Sequence, residues 1–178
     1  MTQDMSQETS QETTEDTTDV IDTLAGLTPD SPLGKLRRER PDVVKHLQGS
    51  DDVIFSPADD GGLTRAERAA AALRIAELLR DTVLVEHYRA RLAELDPSGA
   101  LAKTVEGGAE LTDARWDAII AHVDLVTRGP SAATRDDIDS LAAAGLSSHA
   151  IVSLSQLISF VNFQSRVLAG LRMLKGAA

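Results

Sequence analysis

The chain has no cysteine among its 178 residues. It therefore encodes no disulfide, no thiolate ligand for a metal, and no cysteine nucleophile or redox pair. Aromatic residues make up only 3% of the sequence, so the core has to be built mainly from leucine, valine, isoleucine and alanine. A chain of this length is sufficient for one domain with a substantial core.

Clustered positive charge and long apolar runs are also missing. The formal net charge is −10, and no basic stripe is present to hold phosphates, so we expect no nucleic-acid partner. No uninterrupted apolar run is long enough to span a bilayer, and the first residues lack the pattern of a signal peptide. The sequence therefore predicts a cytoplasmic protein without a membrane partner.

Residues 1–19 are rich in Thr, Ser, Gln and Glu and contain no basic residue. Such a segment has almost nothing to bury, so its ordering entropy cannot be offset. We predict a disordered acidic tail over 1–19 and a single helical domain over 20–178.

Hydrophobic spacing and helix-end signals predict helices throughout the second segment. No stretch alternates with a period of two for long enough to form a strand, so the predicted fold class is all-α. In the first part we expect a helix at 20–27 ended by Gly26, a helix from Ser31 to Arg40, a short helix at 41–48 stopped by Gly49, and an extended segment at 53–57 that places Phe55 on the core.

The clearest start signal is Thr64 followed by Glu67, a capping box that opens a helix. The pattern restarts near residues 80–82 and predicts a second helix ending by Pro97. The remaining expectations are a loop at 96–110, a helix capped by Thr112 with Trp116 on its apolar face, a helix opened by Thr134 and Asp137 with Ile138, Leu141 and Ala142 inward, Gly145 at its end, and a final helix capped by Ser147.

The final segment, residues 147–174, is the most apolar of the chain and is apolar on more than one face. This pattern favours burial on several sides, and for a small domain it predicts a homo-oligomer. Gln156, Asn162 and Arg166 interrupt the segment, and buried polar groups need partners. They are expected to bond within the domain, line a pocket or lie in an interface between subunits.

The sequence indicates no metal or cofactor site. The four histidines fall on separate predicted elements without the spacing of a paired metal site, and no glycine loop has the context needed to hold a phosphate. His87, in LVEHYRARL, is a candidate general base on the inner side of its helix. It also fits a histidine at the edge of the core, and Glu67 is more simply a capping residue than a proton relay.

Two long stretches of the chain carry a family resemblance. They are LTRAERAAAALRIAELLRDTVLVEHYRARL at 63–92 and ATRDDIDSLAAAGLSSHAIVSLSQLISFVNFQSRVLAGL at 133–171. Together they resemble the alkylhydroperoxidase-like, or carboxymuconolactone decarboxylase (CMD), superfamily. The first is similar to a helix pair with a histidine near the end of its second helix, and the second resembles the close of the peroxidase-related branch. The lead-in at 19–44 is similar to the start of the subgroup called CMD domain proteins.

The resemblance implies an all-helical, oligomeric antioxidant fold. Its redox members use Cys-x-x-Cys-x-x-x-His with a Glu from the preceding helix, which brings His87 and Glu67 forward as candidate catalytic residues. The two cysteine positions fall on Arg80 and Val83 when counted from the histidine, or on Asp81 and Leu84 in a gapless alignment. Neither choice supplies a thiol, and Glu67 lies one residue beyond the family spacing.

Three hypotheses follow from these residues. The chain is a binding or partner subunit without thiol peroxidase activity of its own, assembling with itself or with a cysteine-containing relative. Alternatively, it is a cysteine-independent enzyme of the decarboxylase type with His87 as its base. The third hypothesis is a structural oligomer whose interface is the last helix.

Overall fold

The computed structural model describes residues 19–105 and 113–176, and these residues are helical without strands, as the sequence predicts. Residues 1–18 of the predicted tail, and Thr112, lie outside the described residues. None of the described helices is long and apolar enough to cross a membrane. The helices are α1 (Val20–Ala25), α2 (Pro32–Arg38), α3 (Pro41–Phe55), α4 (Arg65–Leu79), α5 (Thr82–Leu95), α6 (Ala100–Val105), α7 (Ala114–Arg128), a 3-10 turn (Pro130–Ala132), α8 (Arg135–Ala143) and α9 (Ser148–Gly176).

Most helices begin where the capping residues predict. The hydroxyl of Ser31 accepts from the amide of Gly34 at 3.1 Å, and Thr64 and Glu67 form the expected capping box. The hydroxyl of Ser147 accepts from the amide of Ala150 at 3.1 Å and opens α9. These side chains satisfy backbone donors that the helix itself leaves free, which is why short-range sequence signals locate them well.

Three expectations about elements are wrong: the helix stop at Gly49, the extended segment at 53–57 and the loop at 96–110. Gly49 does not stop α3, which continues to Phe55, so residues 53–55 are helical rather than extended. Burial of Leu47 and Phe55 outweighs the cost of one helical glycine, about 1 kcal/mol. The predicted loop at 96–110 contains α6 (Ala100–Val105). The side chain of Asp113 caps α7 by accepting from the amide of Arg115 at 2.9 Å.

The core is centred on α4, which packs against α5, α6, α7 and α9. Its run of four alanines, residues 69–72, is completely buried, and such small side chains allow neighbouring helices to approach closely. Of the α8 residues expected to face inward, Leu141 is buried, whereas Ile138 and Ala142 are exposed. The single buried residue reflects how little of this short helix the core covers.

Asp19, which the sequence interpretation assigns to the tail, belongs to the folded body. It is buried and its carboxylate caps α1 by accepting from the amide of Asp22 at 2.7 Å. It also binds the guanidinium of Arg37 at 2.6 Å, while Asp22 binds Arg37 and Arg38. This buried ion cluster joins α1 to α2, a contact that the composition of the tail could not reveal.

Candidate functional site

The turn between α4 and α5 lies where the superfamily resemblance places a pair of cysteines. Arg80 closes α4 in the left-handed conformation, with a φ of 56°. Asp81 then caps α5 by accepting from the amide of Leu84 at 3.4 Å. In the gapless alignment, Asp81 and Leu84 occupy the two cysteine positions, and Leu84 is completely buried in the core.

The carboxylate of Asp81 is held by α9 as well as by its own helix. The guanidinium of Arg172 donates to both carboxylate oxygens, at 2.8 and 3.1 Å, and the hydroxyl of Ser165 donates at 3.2 Å. Burial raises the pKa of Asp81, but these bonds and the positive charge of Arg172 outweigh it, so the pKa lies below its usual value. Asp81 and Arg172 therefore form a closed ion pair that holds the start of α5 against α9.

His87 lies two turns further along α5 and is partly buried. Its Nε2 atom is enclosed and has no hydrogen-bond partner among the described residues. Its ring meets the ring of Tyr88 edge-on, with centroids 4.9 Å apart. Burial lowers the pKa of His87; the negative charge of Asp51 opposes this effect and the positive charge of Arg91 adds to it. The imidazole is consequently neutral around pH 7.

Asp51, on α3, is the buried carboxylate beside His87. Its Oδ2 accepts from the guanidinium of Arg91 at 3.2 Å, whereas its Oδ1 has no partner among the described residues. Burial raises the pKa of Asp51, although the charge and hydrogen bond of Arg91 work against the increase. Arg91 also stacks on Phe55, 4.4 Å from the ring centroid. The cluster thus joins α3 to α5 with incomplete hydrogen bonding.

A second polar contact connects α5 to α9. The Tyr88 hydroxyl donates to Oε1 of Gln164 at 2.5 Å, and both residues are completely buried. Sequence reasoning missed Gln164. The available signal is its spacing, because Gln164 follows Leu157 and precedes Leu168 on one buried helical face. A polar residue at such a position has to find a partner inside the core.

Glu67, the other candidate catalytic residue, has a different environment. Its carboxylate accepts from the amide of Thr64 at 2.7 Å and from Nε of Arg115 at 3.0 Å. Glu67 is near the far end of the α4–α5 hairpin and His87 is nearer its turn, which separates them by roughly 10 Å along the helix axes. The structure does not bring these two side chains together.

The other polar residues singled out in α9 have separate roles. Nδ2 of Asn162 donates to the carbonyl of Ile158 at 2.9 Å, and Arg166 donates to the carbonyl of Asn162 at 3.3 Å. Gln156 is exposed and lines an open groove of about 980 Å³ between α3 and α9. The groove walls do not include His87 or Glu67. Within the described ranges, no group of His, Asp and Glu side chains is arranged to hold a metal.

Comparisons with known proteins add a fold relationship. No family model and no curated protein matches the chain. Among solved structures, it is similar to the crystal structure of an uncharacterized peroxidase-related protein from Silicibacter sp. TM1040, with a TM-score of 0.67 and 16% identity over 86% of this chain and 79% of that one. Likeness at this identity concerns the fold alone, so the function has to be argued from the residues themselves.

Proposed function

We propose that this chain is an alkylhydroperoxidase-like protein of the CMD type that acts as a binding or partner subunit and has no thiol peroxidase activity of its own. The observation that carries the proposal is the closed ion pair of Asp81 and Arg172 at the start of α5, beside the buried Leu84. Attack on a peroxide by this class of enzyme requires a thiolate. In the gapless alignment, the two cysteine positions fall on Asp81 and Leu84, which stabilise the fold instead.

The surroundings of His87 also support a role without peroxide chemistry. The unpaired Nε2 of His87 is enclosed by protein, and His87 is not among the residues that line the open groove. Glu67 is engaged by Arg115 and its own capping box. A proton relay needs its groups within hydrogen-bond reach of one another, directly or through a water.

A peroxide-consumption assay with a thiol reductant tests this proposal. We expect the purified chain to consume hydrogen peroxide or an organic hydroperoxide no faster than buffer and reductant alone. A cysteine-containing member of the superfamily serves as the positive control. Reductant-dependent turnover by the chain itself would overturn the proposal. Mixing the two proteins and measuring particle mass by light scattering then tests hetero-assembly.

A second candidate function is a cysteine-independent enzyme of the decarboxylase type. It is favoured by one observation: His87 has a lowered pKa and an unpaired, enclosed Nε2, and the charge of Asp51, which also keeps an unpaired oxygen, acts on it. Replacement of His87 by Ala should abolish turnover of a lactone or keto-acid substrate while circular dichroism stays unchanged. Full activity in that variant would exclude His87 as the base.

A further inference from the structure

Three enclosed polar atoms without hydrogen-bond partners lie on the helices α3, α5 and α9. They are Oδ1 of Asp51, Nε2 of His87 and Nε2 of Gln164, one from each helix. Tyr88 connects two of these residues, because its ring centroid is 4.9 Å from that of His87 and its hydroxyl donates to Gln164. Buried polar atoms are normally paired with protein or water. We refer to these four residues as the interior polar cluster.

The first helix of the described chain, α1, packs against the same three helices. Ile21 of α1 is completely buried, and Val20 and Leu24 pack at the edge of the core. The amide of Val20 donates to Oε1 of Gln48 on α3 at 2.8 Å, about one helical turn before Asp51. Helix α1 therefore lies over the junction of α3, α5 and α9, the helices that carry the interior polar cluster.

Charged bonds from α2 hold α1 in place. The side chains of Asp19 and Asp22 are completely buried, whereas those of Arg37 and Arg38 remain 11% and 22% exposed. Arg37 donates to both oxygens of Asp19, at 2.6 and 2.9 Å, and Arg38 donates to Asp22 at 2.9 Å. By contrast, Ile21 is the one apolar residue of α1 that is completely buried. Helix α1 has six residues, too few for a helix to be stable on its own.

Gly26 gives α1 a hinge. It ends the helix in the left-handed conformation, with a φ of 60°. Among the described residues, no heavy atom beyond its chain neighbours lies within 4 Å of the position that a Cβ would take. Glycine adopts left- and right-handed conformations about equally well, so the backbone rotates there at little cost. The next residue, Leu27, is buried and anchors the chain that follows, so α1 is able to swing without moving the rest of the fold.

We propose that α1 is a lid over the interior polar cluster, latched shut by the buried ion cluster that joins α1 to α2 and hinged at Gly26. Opening of the lid admits water and small solutes to the junction of α3, α5 and α9, where they pair with the unpaired polar atoms. In the second candidate function the lid governs access to His87, and that consequence alone rests on the proposed enzyme. The movement itself is measured without a substrate, so failure of the lid and failure of the enzyme are distinguishable.

Nitration of Tyr88 by tetranitromethane measures opening, because the chain has one tyrosine and no cysteine that would consume the reagent. Tyr88 is completely buried in the closed state. Arg37→Ala removes the guanidinium that binds Asp19, and a buried carboxylate that loses its partner is stabilised by moving into water. We therefore expect nitration to become at least about tenfold faster. Arg135→Ala, which breaks an exposed pair with Asp139, is the matched control and should leave the rate unchanged.

Trp116 distinguishes lid opening from unfolding, because it is the only tryptophan of the chain and is buried on α7. Its emission shifts to longer wavelength when the whole fold opens and stays unchanged when only α1 moves. Faster nitration with unchanged emission supports the lid, and an unchanged nitration rate overturns it. If Arg37→Ala shifts the emission, Ile21→Ala, which weakens only the apolar contact of α1, takes its place under the same two criteria.

Hydrogen exchange of the natural chain gives a second test. The amides of Val20 and Thr23 are bonded to Gln48 and to the carbonyl of Asp19. They should exchange at least about a hundredfold faster than the buried amides of α4, because the lid opens without global unfolding. Exchange of α1 and α4 at the same rate would mean that α1 opens only when the whole chain unfolds, and the proposal would then be wrong.

Discussion

Two buried aspartates, Asp81 and Asp51, have the same side chain, but their pKa values are shifted in opposite directions. Both are almost fully buried, at 6% and 5% exposure, and each is paired with an arginine. Asp81 accepts hydrogen bonds from Arg172, Ser165 and a helix amide, and its pKa is lowered. Asp51 has one long bond and an unpaired oxygen, and its pKa is raised.

The difference shows that an arginine neighbour alone does not make a buried carboxylate favourable. Burial destabilises the ionised form of both side chains, and only a full set of hydrogen bonds compensates for the lost water. The satisfied site closes the α4–α5 turn against α9. Asp51 and the neighbouring His87, by contrast, keep buried polar atoms without partners, and packing alone does not explain them.

The largest expected effect is at Asp81. Replacing it with Ala removes a helix cap and leaves Arg172 without its partner, so we expect the free energy of unfolding to fall by about 3 kcal/mol. Arg172 is partly exposed, which keeps the loss at the lower end of the range for buried pairs. Urea denaturation measures it. Asp139→Ala, in an exposed pair with Arg135, is the control and should change stability by less than about 0.5 kcal/mol.

The substitution Asp51→Asn should change the free energy of unfolding in the opposite direction and increase it at neutral pH. Because the folded-state pKa is raised, the ionised carboxylate reduces stability as the pH rises through its unfolded value of about 3.9. Removing the charge should therefore stabilise the protein at pH 7, and the gain should vanish near about pH 3. Urea midpoints at both pH values measure this, with the neighbouring exposed Asp52→Asn as control. Destabilisation at neutral pH would contradict the contrast with Asp81.

The smallest effect concerns His87. Its lowered pKa contributes stability that is fully present above about pH 6.5 and is lost as the pH falls towards the folded-state value. His87→Gln should flatten this loss by less than about 1 kcal/mol, whereas His46→Gln, at an exposed position, should not. The slope that remains is expected from His122, whose pKa burial also lowers, against the opposing charge of Asp137.

The same pair gives a test that is independent of stability. In Asp51→Asn, NMR titration should place the pKa of His87 lower than in the natural chain, because Asp51 raises it. An unchanged His87 pKa would mean that the two side chains are not coupled.

The sequence predicted where helices begin better than it predicted which residues meet at the candidate site. Ser31, Thr64 and Ser147 act through amides three residues away, so their role is visible in a short window. The helix stop predicted at Gly49 and the loop predicted where α6 lies were wrong because burial in the core overrode local sequence preference. His87 was found by its residue type, but Asp51 and Gln164 were not, since their partners lie 40 and 76 residues away along the chain.

By itself, the sequence determined that this protein is helical, that it carries no thiol, and where most of its helices begin. These properties depend on residue identity and on hydrogen bonds within a few positions. Only the tertiary structure decided that Asp81 is a closed ion pair, that Asp51 and His87 keep unpaired atoms in the interior, and which face of α9 is exposed. Those outcomes depend on which distant helix covers each side chain, and the spacing of residues along one helix does not contain that information.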